Sequence, residues 1–205
     1  MADVLERAGC RIEFRESQTC CGQPAYNSGH VDVLCGVRDH FLEVFAGAKH
    51  IVVPSGSCAA MIAHHYPEPD PRVWEFSQFL VNFLGVDDLG AGFDGTVTYH
   101  DSCHALRELR IKDTPRRLLQ KVRGLKLVEM DPAEECCGFG GTFSVKFPDV
   151  SGAMARTKID AILKTGADTV VSVDSSCLMQ IQGALDRAGK KIRTMHLAEV
   201  LAHGI

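Results

Sequence analysis

Two vicinal cysteine pairs, each closed by a glycine, constrain this chain more than any other feature: Cys20-Cys21-Gly22 and Cys136-Cys137-Gly138. Laying one triplet over the other brings the residues that follow into line. From Cys21 the chain runs 37 positions to Cys58 in Val-Pro-Ser-Gly-Ser-Cys, and from Cys137 it runs 40 to Cys177 in Val-Asp-Ser-Ser-Cys. Between these points apolar residues recur at helical spacing, Leu34, Val37, Phe41 and Phe45 in the first copy and Ala155, Ile159, Ile162 and Leu163 in the second. Short β-branched runs follow, His50 to Val53 and Thr169 to Val173, which read as strands buried on both faces of a parallel sheet. Each copy continues with a helix, a short strand around Val73 or Ile192, and a closing amphipathic helix, Phe76 to Leu84 or Met195 to Leu201. The expected fold class is α/β: two internally duplicated lobes with parallel sheets and flanking helices. They are expected to span residues 1–88 and 96–205, either side of the glycine-rich segment Gly85 to Gly95.

The copies are not equal. Thr96 to His100 reads as a strand that delivers Asp101, Ser102, Cys103 and His104 at its end, and Cys103 precedes Cys136 by 33 positions. The same offset from Cys20 falls before Met1, so the first lobe is expected to lack its opening strand. Ligands of α/β sheets collect beyond the carboxyl ends of the strands, where Cys58, Cys103 and Cys177 fall. Cys58 and Cys177 also sit where the next helix should begin, and the free N–H groups and dipole there favour a thiolate. Cys136 and Cys137 follow an expected strand, Leu125 to Met130, in a loop able to face the same crevice, with Gly138 permitting close backbone approach. Cys103, Cys136, Cys137 and Cys177 thus form one candidate metal- or cofactor-binding group, and Cys20, Cys21 and Cys58 form a partial counterpart.

Nine cysteines in 205 residues are too few for a disulfide scaffold, and an odd number for a paired set. A disulfide within a vicinal pair is disfavoured, because consecutive Cα atoms lie only about 3.8 Å apart. Zinc prefers ligands two to four residues apart, whereas the separate irons of a cluster can each take one of two adjacent thiolates. A cluster is therefore the leading reading of the residues, with zinc and unliganded thiols as alternatives. Cys10 and Cys35 read as small buried hydrophobes. His100 and His104 flank Cys103 and either tune a bound centre or satisfy backbone groups at the strand end. Lys146, Arg156 and Lys158 are expected on an exposed helix face. Gly138-Phe139-Gly140-Gly141 lacks phosphate-loop spacing, with Phe143 standing where a glycine is needed. A net charge of −4 offers no basic field for nucleic acid. The longest uncharged stretch, His50 to Pro67, is broken by Pro54, Ser55, Gly56, His64 and His65, so no transmembrane segment is expected. The opening Met1 to Arg7 carries no apolar signal core, which makes the cytoplasm the expected location.

The pattern Cys-x(32)-Cys-Cys-Gly with a distant Ser-Ser-Cys, and its partial copy Thr-Cys-Cys-Gly-Gln-Pro with Pro-Ser-Gly-Ser-Cys, resembles the duplicated CCG cysteine-rich domain. That domain occurs in a cysteine-rich component of heterodisulfide reductase, in iron–sulfur subunits of glycolate oxidase and anaerobic glycerol-3-phosphate dehydrogenase, and in lactate-utilisation proteins. The resemblance runs from Leu5 to Ala202 and includes Cys20 to Gly29, His100 to His104 and Phe143 to Pro148. It implies an iron–sulfur cluster of the 4Fe–4S kind on the seven cysteines named above. It also implies electron transfer in the oxidation of L-lactate to pyruvate, with other iron–sulfur or dehydrogenase subunits as partners. Disulfide reduction at a cluster and a zinc-stabilised interaction module are the alternatives. The fuller family pattern ends each repeat in Cys-x-x-Cys, but Ser55 and Asp174 stand at the first of those positions, so four thiolates per site is the ceiling. One stable cluster is expected in the second lobe and a labile one, or none, in the first.

Overall fold

In the computed structural model, which describes residues 1–66, 68 and 70–204, the strands pair in parallel and each crossover between them carries a helix. The chain opens with α1 (Ala2–Arg7), α2 (Gln23–Asn27) and α3 (Val31–Val44), followed by β1 (Ile51–Val53), α4 (Gly56–Ala60), β2 (Val73–Glu75) and α5 (Phe76–Gln78). α4 and α5 each run on into a wider π-type turn, Met61–His65 and Phe79–Phe83. β3 (Gly92–Tyr99), α6 (Cys103–Arg107), α7 (Asp113–Gln120) and β4 (Arg123–Leu127) come next. The chain closes with α8 (Thr142–Lys146), α9 (Pro148–Thr165), β5 (Thr169–Ser172), α10 (Ser175–Arg187), β6 (Arg193–His196) and α11 (Leu197–Ala202).

The fold is α/β, with parallel sheets flanked by helices, as the patterning predicts. β1 and β2 form a two-stranded sheet, and the second sheet has the order β4-β3-β5-β6. Its central strand β5, Thr-Val-Val-Ser, is buried at all four positions, which accounts for its β-branched composition. Val97, Thr98 and Tyr99 of β3 stand opposite Thr169, Val170 and Val171 of β5. The chain leaves β3 toward β4 on one side and returns to β5 on the other. The order therefore reverses between β3 and β5, and a crevice opens beyond their carboxyl ends. α9 is framed by Pro148 at its first turn and by Gly166 at φ 67°, a start and a stop with clear steric logic.

One apolar core joins the two sheets. Phe76, Phe79 and Leu80 from the first half pack with Val97, Tyr99, Val171, Val173, Leu197 and Leu201 from the second. Each fully buried aliphatic or aromatic side chain in it contributes roughly 1.5–3 kcal/mol. Two smaller clusters hold cysteines: Cys21 lies with Leu34, Met61, Ile62 and Tyr66, while Cys137 and Cys177 lie with Ile159, Ile162, Val170, Ile181 and Leu185.

Several local expectations are corrected. β3 starts at Gly92 rather than Thr96, because Gly92 and Gly95 already pair with Arg123 and Leu125 across a register shift. β4 spans 123–127 instead of continuing to Met130. Met195 belongs to β6, and the closing helix begins at Leu197 behind a capping box of His196 and Glu199. Cys35 is exposed, since α3 buries only Leu34. Lys158, expected on a solvent face, is fully buried. No helix among the described residues is long and apolar enough to cross a membrane.

Candidate metal centre

The second cysteine group assembles at the reversal between β3 and β5. Cys103 is the first residue of α6, Cys177 is the third residue of α10, and Cys136-Cys137 enter from the loop before α8. Cys137 and Cys177 cluster in the buried interior with His100, Cys103 Sγ lies 3.6 Å from His104 Nδ1, and Cys136 Sγ accepts from the Gly138 N–H. The neighbouring Cys103 and Cys137 thiols, with the Gly138 N–H at 3.4 Å, hold Cys136 far below the ordinary thiol range, while the neighbouring sulfurs and burial push Cys103 and Cys137 up. Gly138 has φ 85°, and a Cβ there would lie 2.7 Å from the Ser151 carbonyl oxygen and 2.9 Å from Met154 Cβ. Only glycine lets this loop press onto α9. Ser151 Oγ donates to the Gly138 carbonyl at 2.7 Å, and Gln180 Nε2 donates to Ser151 Oγ at 3.1 Å, so α9 and α10 together fix the loop.

Two basic side chains support this group from behind. Lys158 Nζ, on α9, donates to the Pro132 and Ala133 carbonyls at 3.3 and 3.1 Å, and burial pulls its pKa below the usual ammonium value. Arg116 grips buried Asp101 with two 2.8 Å bonds, fixing the segment that carries Cys103. His100, just past the end of β3, is fully buried, and neither ring nitrogen has a hydrogen-bond partner among the described residues. Burial and the Lys158 charge push its pKa down to about 3, which leaves the ring neutral. Of the two readings open for His100, the one in which its side chain satisfies strand-end backbone groups finds no partner among the described residues. Its ligating nitrogen and the sulfurs of Cys137 and Cys177 all lie within 4.8 Å of one another.

The first group is sparser. Cys21 is buried and its Sγ lies 3.0 Å from Cys58 Sγ, whereas Cys20 is exposed at the rim. Cys58 is pulled down by the Cys21 thiol and by Ser55, and Cys21 is pushed up by the same contact and by burial. Gly22 has φ 84°, with Leu34 Cδ1 only 2.7 Å from where a Cβ would sit. Tyr66 donates its hydroxyl to the Cys21 carbonyl at 3.1 Å. Cys10, half-buried against the main core, joins neither group.

Between the groups lies a contact that sequence reasoning missed. The Asp174 carboxylate, 1% exposed, accepts from Ser55 Oγ at 2.8 Å, from Ser57 Oγ at 2.7 Å, from Ser57 N–H at 3.0 Å, and from Ser102 Oγ. Asp174 stands at the N-cap of α10, yet its side chain caps α4 instead. Ser55 and Asp174, where the resemblance leads one to expect further cysteines, are therefore bonded to each other. No local sequence signal joins residues 119 positions apart.

The donor set fits a thiolate-bound metal centre. Four converging thiols, a neutral imidazole without partners and a buried ammonium nearby are the chemistry that soft metals and iron–sulfur clusters select. A profile of the CCG cysteine-rich domain matches residues 1–63 and 97–182. Lactate utilization protein A of Bacillus cytotoxicus is 48% identical over 97% of this chain and 89% of its own length. The proteins of the same name from Bacillus cereus and, as lactate utilization protein A 2, from Bacillus mycoides are 46% and 47% identical over the same shares. With its two Cys-Cys-Gly loops in a parallel α/β fold, and this similarity along nearly its whole length, the chain belongs to the CCG cysteine-rich domain family.

Proposed function

We propose that the protein is an iron–sulfur electron-transfer component of a cytoplasmic system that oxidises L-lactate to pyruvate. What supports the cofactor reading is the clustering of Cys137 and Cys177 with His100 beyond the carboxyl ends of β3 and β5, where α/β proteins hold their ligands, with Cys103 and Cys136 on adjoining segments. The substrate reading is supported by the name of the relatives, which are lactate utilization proteins.

In this reading residues 1–88 and 96–205 are two CCG units, each offering a thiol group. Cys103, Cys136, Cys137 and Cys177 hold one 4Fe–4S cluster, and Cys20, Cys21 and Cys58 hold a second, more labile one. When bound, a cluster supplies reversible one-electron storage. The chain's own residues supply the setting. Gly138 and Ser151 hold the vicinal cysteines against α9, Arg116 and Asp101 position Cys103, and Lys158 places a positive charge beside a group of thiolates. A partner subunit performs the hydride chemistry, and another iron–sulfur or dehydrogenase subunit receives or delivers the electrons.

Anaerobic purification followed by iron, acid-labile sulfide and absorbance analysis tests the cofactor. Brown protein with iron and sulfide in cluster proportion is expected, and colourless protein with stoichiometric zinc after reconstitution refutes the cluster. Deletion of the gene is expected to abolish growth on lactate but not on pyruvate, and undiminished growth on lactate refutes the substrate assignment.

A further inference from the structure

We propose that His100 is a nitrogen ligand of the metal centre at the second cysteine group, beside Cys137 and Cys177. This rests on the iron–sulfur reading above and deepens it. His100 is 0% exposed, and both its ring nitrogens lack any hydrogen-bond partner among the described residues. A buried imidazole left wholly unpaired is a rare state in a folded protein and calls for an explanation at that position. Other histidines of the chain show the ordinary outcome. His196 accepts from Ala198 N–H and meets the Pro54 carbonyl at 2.8 Å, His40 meets the Ser17 carbonyl at 2.7 Å, and His104 lies beside Gln23 and Glu108.

The ring of His100 faces sulfur instead, with its ligating nitrogen and the sulfurs of Cys137 and Cys177 inside 4.8 Å of one another. The backbone of the residue is fixed in place. The His100 N–H donates to the Val171 carbonyl at 2.8 Å, and its carbonyl accepts from Ser172 Oγ at 3.0 Å, so both sides of the residue are tied to β5. The other buried donor nearby, Asp174, already serves Ser55, Ser57 and Ser102. A neutral imidazole presents one lone pair, and imidazole nitrogen is an established alternative to thiolate at iron–sulfur centres.

The test uses the whole protein, loaded with its cluster anaerobically and labelled with ¹⁵N-histidine. Pulsed EPR of the paramagnetic state is expected to show a directly coordinated histidine nitrogen whose coupling changes with the isotope. In His100→Leu that coupling is lost, and in His100→Cys, which keeps a donor in place, the cluster is retained and its midpoint potential moves to more negative values. A cluster with no coordinated histidine nitrogen in the unaltered protein, or a coupling unchanged in His100→Leu, overturns the assignment. The labelled unaltered protein decides the matter even where a variant fails to fold. Protein that takes up no iron or sulfide overturns the iron–sulfur reading and this inference together, whereas a cluster without nitrogen overturns this inference alone.

Discussion

Replacing Asp174 by alanine removes the one side-chain acceptor, among the described residues, that ties the start of α4 to the second half of the chain; the Val173 carbonyl, which accepts from Gly56 N–H at 3.3 Å, remains. The carboxylate receives three hydroxyls and one backbone N–H while 1% exposed. Hydrogen bonds to a charged group are worth about 1.5–3 kcal/mol each when removed singly, but here they do not simply add. Ser55 and Ser57 hydroxyls already sit 3.0 Å apart and can pair with each other, Ser102 can rotate, and the buried charge itself disappears. The Ser57 N–H has no such escape, and stranding it costs about 1–3 kcal/mol. With a remainder of order 1 kcal/mol for the hydroxyls, the expected destabilisation is about 3 kcal/mol, or a Tm roughly 6–12 °C lower for a chain of this size. Anaerobic urea unfolding at matched metal loading measures it, with the exposed Asp160→Ala as control. A cycle with Ser57→Ala should give a coupling of at least about 1 kcal/mol. A loss within about 0.5 kcal/mol of the control would falsify the bridge.

Glu75 is buried, and desolvation pushes its carboxyl up to about 7 against an ordinary 4.5. The fold favours the protonated form, so stability present below pH 4.5 declines as pH rises toward 7, by about 3 kcal/mol. Glu75→Gln should flatten that decline in urea midpoints taken across this range, and parallel profiles would refute the assignment. At Gly56 an added Cβ lies 2.6 Å from Ala105 Cβ. Gly56→Ala should therefore cost about 1–3 kcal/mol in denaturant unfolding, relieved by Ala105→Gly; an additive double variant contradicts the clash. Cys137→Ser should remove most of the bound iron and Cys21→Ser little, since only the second group offers four thiols; equal losses in iron analysis defeat this asymmetry.

What the sequence makes legible is whatever repeats or alternates. The duplicated triplets locate both loops, and the β-branched runs locate β1 and β5. Placing Cys58 and Cys177 at helix starts follows from a strand ending in small polar residues. Lys158 escapes such reading because a charged residue on an amphipathic helix normally faces water. It is buried here only because the Met130–Ala133 turn folds back and presents two carbonyls and a thioether. Ser55 and Asp174 stand out in the sequence only as missing thiols, since their mutual bond depends on how the two sheets meet. His100 carries an ambiguous signal, because nothing local says whether a histidine after a strand will find a partner.

The cap that Asp174 places on α4 also sets an order of events. Ser57 and Asp174 are separated by 117 positions, so the first cysteine group cannot reach its final form until nearly the whole chain has been synthesised. Closing a loop of that length costs on the order of 4 kcal/mol in chain entropy, which only a formed β5 and its packing can offset. The second cysteine group spans 74 positions from Cys103 to Cys177, and closing it costs nearly as much. The start of α4, which carries Cys58, therefore takes its final form only with Asp174 in place, however early in the chain Cys20, Cys21 and Cys58 are made.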